Sequence, residues 1–244
     1  MTRFLLVHGA FSGAWCWEST AAELRARGHR ADAIDLPGSG DDRTPVGAVT
    51  LDAYATRVGE ALAADPEPAV LVGHSMGGAV ITHTAGRCPE RIASLIYVAA
   101  FLPTDGMSLV AMTQLPEGAG DGVQDTMVVS GEPPVATMSD EDSREVFLGE
   151  CDEAEVAWAL PRFRPQPLQP FLDPVRLPGG ALTRPRDYVL ATKDHAIPPA
   201  LQRRMAREGG VERVVELDAD HSPFFSRRGE LVEALDMLAA GRAG

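Results

Sequence analysis

A chain of 244 residues can bury a sizeable core as one large domain, or one domain with a small insertion, and its 45% hydrophobic and 23% charged residues exclude disorder and fibrous repeats. Asp and Glu outnumber Lys and Arg by 35 to 22, and a net charge of −13 repels phosphate backbones and anionic membranes, so neither nucleic acid nor membrane is expected as a partner. Cys16, Cys88 and Cys151 are too few and too scattered for a disulfide framework or a CxxC metal site, and the apolar run at the N-terminus is too short for a signal peptide, so a cytoplasmic location is expected.

Short apolar runs then alternate with helical patterns. In chain order, strands are expected at Phe4–Val7, Ala31–Ile34, Ala69–Val72 and Ile92–Val98. Between them, apolar residues at three- and four-residue spacing predict helices over Glu18–Arg27, Leu51–Ala64 and Met76–Arg87, with Thr50 placed to cap the second. This is βαβ winding, which predicts an α/β fold with a doubly wound, mostly parallel sheet. After Ala100 the pattern stops, and ten of the 19 prolines fall between Pro103 and Pro178. Residues 103–180 are expected to form a small cap insertion, with one helical piece at about Asp140–Leu160, in a core made of residues 1–102 and 181–244. The winding resumes with a strand at Asp187–Ala191, a helix at Pro199–Glu208, a strand at Val211–Leu217 and a helix at Gly229–Ala239.

The strongest chemical signal is Gly73-His74-Ser75-Met76-Gly77, which follows an apolar run and precedes a helix. A serine on a sharp strand-to-helix turn needs small neighbours two residues either side, and such a turn lifts its hydroxyl above the sheet toward the N–H groups of the helix. Ser75 is therefore the expected nucleophile. A phosphate-binding loop is excluded because Ala79 stands where a lysine is required, and no GxGxxG opens a helix after a strand. No cofactor or metal is expected.

A serine hydroxyl needs a base on another loop at the carboxyl edge of the sheet. His221, between the late strand and the last helix, occupies that position, whereas His74 is expected to be a structural wall, His8 a brace for the loop after the first strand and His29 a surface residue. Asp194 lies between Ser75 and His221 and follows a strand, giving the order Ser, Asp, His; Asp187, Asp218 and Asp220 are poorer candidates for the acid. A developing oxyanion needs two N–H donors, for which Met76 and Ala10 are positioned. Phe11 and Trp158 are candidates for substrate contact.

Taken together, Phe4-Leu5-Leu6-Val7-His8-Gly9-Ala10 with Gly13-Ala14-Trp15-Cys16-Trp17, the elbow continued to Gly78, Val98-Ala99-Ala100-Phe101-Leu102-Pro103 and Asp220-His221-Ser222 resemble the methylesterase and hydroxynitrile lyase branch of the α/β-hydrolases. The resemblance implies a triad of Ser75, Asp194 and His221, oxyanion donors on Ala10 and Met76, a small cap and no cofactor. The expected activity is hydrolysis of a small-molecule carboxylic ester through an acyl-enzyme on Ser75. The alternatives are a C–C lyase using the same groups and a ligand-binding protein without turnover. Lyases of this branch resemble one another in a lysine after the catalytic histidine and a threonine after the strand-end histidine, where this chain has Ser222 and Gly9, which favours the ester reaction. Self-association into a homo-oligomer is left open.

Overall fold

The computed structural model describes residues 1–240 and Arg242, so the last few residues of the expected core segment 181–244 lie outside the described residues. Its first half runs β1 (Arg3–Val7), α1 (Glu18–Ala26), β2 (Arg30–Ile34), α2 (Leu51–Ala63), β3 (Ala69–Ser75), α3 (Gly77–Arg87) and β4 (Ile92–Ala100). Segment 103–180 holds α4 (Leu109–Thr113), α5 (Gly122–Thr126), β5 (Val128–Ser130), β6 (Val135–Thr137), α6 (Asp140–Phe147), α7 (Glu153–Ala159), β7 (Gln166–Pro167) and α8 (Gln169–Leu172). The chain returns with β8 (Arg186–Ala191), α9 (Pro199–Glu208), β9 (Arg213–Leu217), α10 (Pro223–Ser226) and α11 (Arg228–Ala239).

Six strands pair in the order β2-β1-β3-β4-β8-β9, every pair parallel. Alternate residues of each strand enter opposite faces: Leu5 and Val7 join the core that includes α2 and α3, while Phe4 and Leu6 join the one that includes α1 and α11. Burial on both faces explains why β1, β3 and β4 read as nearly unbroken apolar runs, whereas the edge strands β2 and β9 carry charged, exposed positions. Thr50 caps α2 by accepting the Ala53 N–H at 3.0 Å, and Leu51, Tyr54, Val58 and Leu62 form its buried stripe. From β1 the chain winds first to β2 and then to the other side, to β3. This places a topological switch point at the carboxyl ends of β1 and β3, where ligands bind in open α/β sheets.

Several local expectations need correction. Strands β3 and β4 run on to Ser75 and Ala100, while β9 begins at Arg213 rather than Val211. The helix expected over Asp140–Leu160 is two helices, because Asp152 and Glu155 form a capping box that starts α7 afresh. Segment 103–180 also contains a three-stranded antiparallel sheet, β5-β6-β7. Its strands are two or three residues long and β5 is exposed, so no period-2 pattern betrays it. His29 is not a free surface residue: its Nε2 reaches Asp236 at 3.1 Å and its ring packs edge-on against Phe4, which ties α11 to the start of β1. No described helix is long and apolar enough to cross a membrane.

Among the contacts that hold segment 103–180 against the rest of the chain, two reach loops at the carboxyl edge of the sheet. The Glu150 N–H donates to Asp220 Oδ2 at 3.0 Å, beside His221, and the Arg164 N–H donates to the Phe11 carbonyl at 2.9 Å, beyond β1.

Candidate active site

Ser75 ends β3 with φ 54°, the left-handed region that side-chain-bearing residues rarely adopt. Strain of this kind costs on the order of 1–3 kcal/mol and persists only where the surroundings enforce it. Here the enforcement is close packing on both sides of the turn. A Cβ on Gly73 would stand 2.6 Å from the Gly77 carbonyl oxygen, and one on Gly77 would stand 2.7 Å from that of His8. The chain turns directly into α3 with Met76 as its N-cap, which leaves early N–H groups of the helix facing the serine.

His221 follows β9 and lies 2.9 Å through Nδ1 from Asp194 Oδ2 and 3.0 Å from Oδ1. Because a carboxylate only accepts, Nδ1 carries the proton and Nε2 is the free base. Asp194 is fixed by the N–H groups of Ala196 and Ile197 at 2.8 and 2.9 Å on Oδ1 and by the Gln202 amide at 2.8 Å on Oδ2. The other acid candidates are employed elsewhere. Asp187 is fully buried in ion pairs with Arg213 and Arg242, Asp218 pairs with Lys193 on the surface, and Asp220 accepts the N–H groups of Glu150 and Ser222. Among the described residues the ring bonds of His221 are those to Asp194, and its Nε2 makes none to the Ser75 hydroxyl. Such contacts commonly tighten only around substrate.

His74 has more to do than serve as a wall. Its Nε2 donates to the His221 carbonyl at 2.7 Å, and the two rings lie 4.6 Å apart. Burial, followed by the neighbouring His221, holds its pKa well below the ordinary histidine range, so it stays neutral beside the base. His8 braces the loop after β1 as expected: Nδ1 donates to the Gly9 carbonyl at 2.7 Å and Nε2 accepts the Leu36 N–H at 3.1 Å.

Ala10 and Met76 both line the cavity that Ser75 opens into, Ala10 from the loop after β1 and Met76 from the start of α3. The approach of the first loop depends on Gly9, where a Cβ would fall 2.7 Å from the Ser75 Cβ and 3.0 Å from His74 Nδ1. A threonine there, as in the lyases, would displace the elbow. Gly9→Ala is therefore expected to lower kcat about 100-fold, the scale of loss for a misplacement of roughly 1 Å, while unfolding remains cooperative. Steady-state kinetics alongside a thermal melt would check this, and wild-type kcat would refute the close-approach argument.

The cavity itself is about 120 Å³ and largely apolar. Phe11 lines it, and this bulky residue takes φ 61° because its N–H and carbonyl are both claimed, by Gln166 Oε1 at 3.3 Å and by the Arg164 N–H at 2.9 Å. Trp158, the other candidate for substrate contact, is not among the residues lining that cavity. Its ring packs 5.4 Å from Trp15 and 5.8 Å from Phe225 and is covered by Arg162, outside the Ser75 cavity. The restarted helix α7 turns it that way. Three groups escaped sequence reasoning: Gln166, which bridges Phe11 to the Tyr54 hydroxyl, and Asp121 and Gln124, which line the cavity from a stretch with no periodic signal. Their one local cue is an N-cap aspartate before a short helix.

A parallel sheet with a strained serine at the carboxyl end of a central strand, turning straight into a helix, is the frame of an α/β hydrolase. Residues 4–234 match the model of the family described as "Alpha/beta hydrolase family", and the chain belongs to that family. It is 34% identical over 243 residues to a pyrethroid hydrolase of Sphingobium wenxiniae, covering 96% of this chain and 86% of that protein. It is 33% identical over 236 residues to putative methylesterase 11, chloroplastic, of Arabidopsis thaliana; that match covers 92% of this chain but only 60% of the plant protein. The crystal structure of a pyrethroid hydrolase from Sphingobium faniae superposes with a TM-score of 0.87 at 31% identity, covering 98% of each chain.

Proposed function

We propose that the protein is a carboxylic ester hydrolase that works through an acyl-enzyme on Ser75, with His221 as base, Asp194 as its orienting acid and the N–H groups of Ala10 and Met76 as the oxyanion hole. The observation that carries this reading is the pair of hydrogen bonds from His221 Nδ1 to a buried Asp194 that three further donors hold in place, which leaves Nε2 free to take the serine proton. Ser75 attacks the ester carbonyl while His221 removes its proton, and Asp194 stabilises the imidazolium. The tetrahedral oxyanion meets N–H groups held in place by the fold, and such preorganised donors need no reorganisation as the charge develops. Collapse expels the alcohol with the proton from His221. A water activated by the same histidine then releases the acid.

Segment 103–180 acts as the cap and residues 1–102 with 181 onward as the catalytic core, because Phe147, Met127 and Phe171 from that segment close the cavity over Ser75. A cavity of about 120 Å³ is comparable to an apolar one of roughly 150 Å³ that accepts benzene, so the substrate is a small, neutral, largely apolar ester. The names of the relatives, methylesterases and a pyrethroid hydrolase, are consistent with an ester substrate. Three free thiols suit a reducing compartment such as the cytoplasm.

The test is turnover of a panel of p-nitrophenyl and methyl esters and of mandelonitrile, each beside Ser75→Ala. Ester cleavage that depends on Ser75, with no cyanide released, is the expected result. Cyanide release without ester cleavage would establish lyase chemistry, and absence of both reactions would leave a binding protein.

A further inference from the structure

The cavity beside Ser75 is apolar except at one corner, where Asp121, Gln124 and Thr113 face it. Asp121 is the one ionisable side chain lining it among the described residues, and only 4% of its surface is exposed. Its two oxygens are unequally used. Oδ1 caps α5 by accepting the N–H groups of Val123 at 2.9 Å and Gln124 at 3.1 Å, whereas Oδ2 accepts a single, longer bond of 3.3 Å from the Gln124 side-chain amide. Capping alone does not call for a carboxylate. Asparagine or serine caps equally well and would spare the cavity a charge that is costly to bury.

The surroundings of α5 do not neutralise that charge. From α6 come Val146, packed against Gly122, and Phe147, which lines the cavity; His195 offers only its backbone carbonyl, which accepts the Gly122 N–H at 2.8 Å. No arginine or lysine is paired with Asp121 among the described residues, and His221 is the neighbouring titratable group that bears on it. Burial raises its pKa to about 6, so the group is anionic at pH 8 and neutral at pH 5. An under-used, anionic oxygen in a largely apolar pocket is a strong acceptor, because hydrogen bonds to charged groups exceed neutral ones about twofold in energy.

We propose that Asp121, assisted by Gln124 and Thr113, forms a specificity subsite that selects esters carrying a hydrogen-bond donor on their apolar part and rejects those carrying a carboxylate there. The proposal rests on the reading of the Ser75 cavity as an ester pocket. It identifies the substrate class further: a small ester with a hydroxyl, or another donor, remote from the scissile bond.

The experiment compares methyl phenylacetate, methyl (4-hydroxyphenyl)acetate and methyl (4-carboxyphenyl)acetate with wild type, Asp121→Asn, Asp121→Ser and Ser75→Ala, following acid release. Both Asp121 variants keep a capping side chain and so are expected to fold. At pH 8 wild type should favour the hydroxyl ester over the unsubstituted one about tenfold in kcat/KM, through KM, and disfavour the carboxyl ester by at least about tenfold. Both ratios should approach 1 in the two variants. In wild type the bias against the carboxyl ester should fade as pH drops through about 6, while the ratio in the variants stays flat. Ratios taken at one pH cancel every effect of pH that the three esters share. Ser75-dependent turnover with ratios that Asp121→Asn and Asp121→Ser leave unchanged would reduce Asp121 to a helix cap and overturn the subsite. Absence of Ser75-dependent turnover on every ester would instead fell the esterase reading itself, and the subsite with it.

Discussion

Replacing Ser75 by alanine is expected to lower kcat on the best ester about 10⁶-fold while the protein remains folded. The size of the loss follows from how triads act: removing the nucleophile costs nearly as much as removing the whole catalytic set, and what remains is the roughly 10³ to 10⁴-fold gain over water from binding and the oxyanion hole. Folding should not suffer, because Ser75 is held by backbone packing of Gly73 and Gly77 and by its carbonyl, which accepts the Phe101 N–H at 3.1 Å. None of these contacts uses the hydroxyl. Alanine at φ 54° is no worse placed than serine. Single-turnover kinetics with an activated ester, beside a thermal melt, provide the check. A burst of alcohol release from Ser75→Ala would mean that the acyl group is carried by another residue.

Asp194→Asn is expected to lower kcat about 10⁴-fold with KM nearly unchanged, the loss seen when the same exchange is made in a chymotrypsin-like triad. The structure supplies the reason. Oδ1 must keep an acceptor for the N–H groups of Ala196 and Ile197, so the asparagine carbonyl stays there and its NH₂ replaces Oδ2. That NH₂ then replaces the acceptor 2.9 Å from His221 Nδ1, and two donors cannot share that contact; the one acceptor left to Nδ1 is the carbonyl at 3.0 Å, which already takes two N–H groups. The imidazole moves its proton to Nε2 and can no longer accept the serine proton. KM is spared because Asp194 does not line the cavity. Asp187→Asn is the matched control. It removes a charge from the buried pairs with Arg213 and Arg242 and should lower Tm by roughly 5 °C, as a loss of about 1–3 kcal/mol would in a chain of this size, with kcat intact. A greater kcat loss from Asp187→Asn than from Asp194→Asn would reverse the assignment of the acid.

Two of the ties that hold segment 103–180 reach the loops of the candidate site. One ends on Asp220, next to His221, and the other on Phe11, next to Ala10. Others anchor the segment elsewhere, among them the Leu51 N–H on Asp173 at 2.9 Å, the Arg176 N–H on His83 at 3.0 Å and the Gly122 N–H on the His195 carbonyl at 2.8 Å.

What the sequence determined by itself is what local physics enforces. Doubly buried strands must be apolar runs, a serine elbow must have small neighbours, and the winding order places Ser75 and His221 at the same sheet edge; all of this is written within a few residues of each group. Tertiary structure decided the rest. Four aspartates met the rule of chain order or proximity to His221, and only the fold showed that Asp187 lies among arginines while Asp194 meets a histidine 27 positions away. Trp158 has the composition of a pocket residue, yet the capping box of Asp152 restarts its helix and turns the ring onto Trp15. Gln166 supports Phe11 across 155 residues, and Asp121 enters the cavity from a stretch with no period at all. In the cap, short elements leave no repeating pattern to read, because the direction of each side chain there is set by contacts with distant parts of the chain.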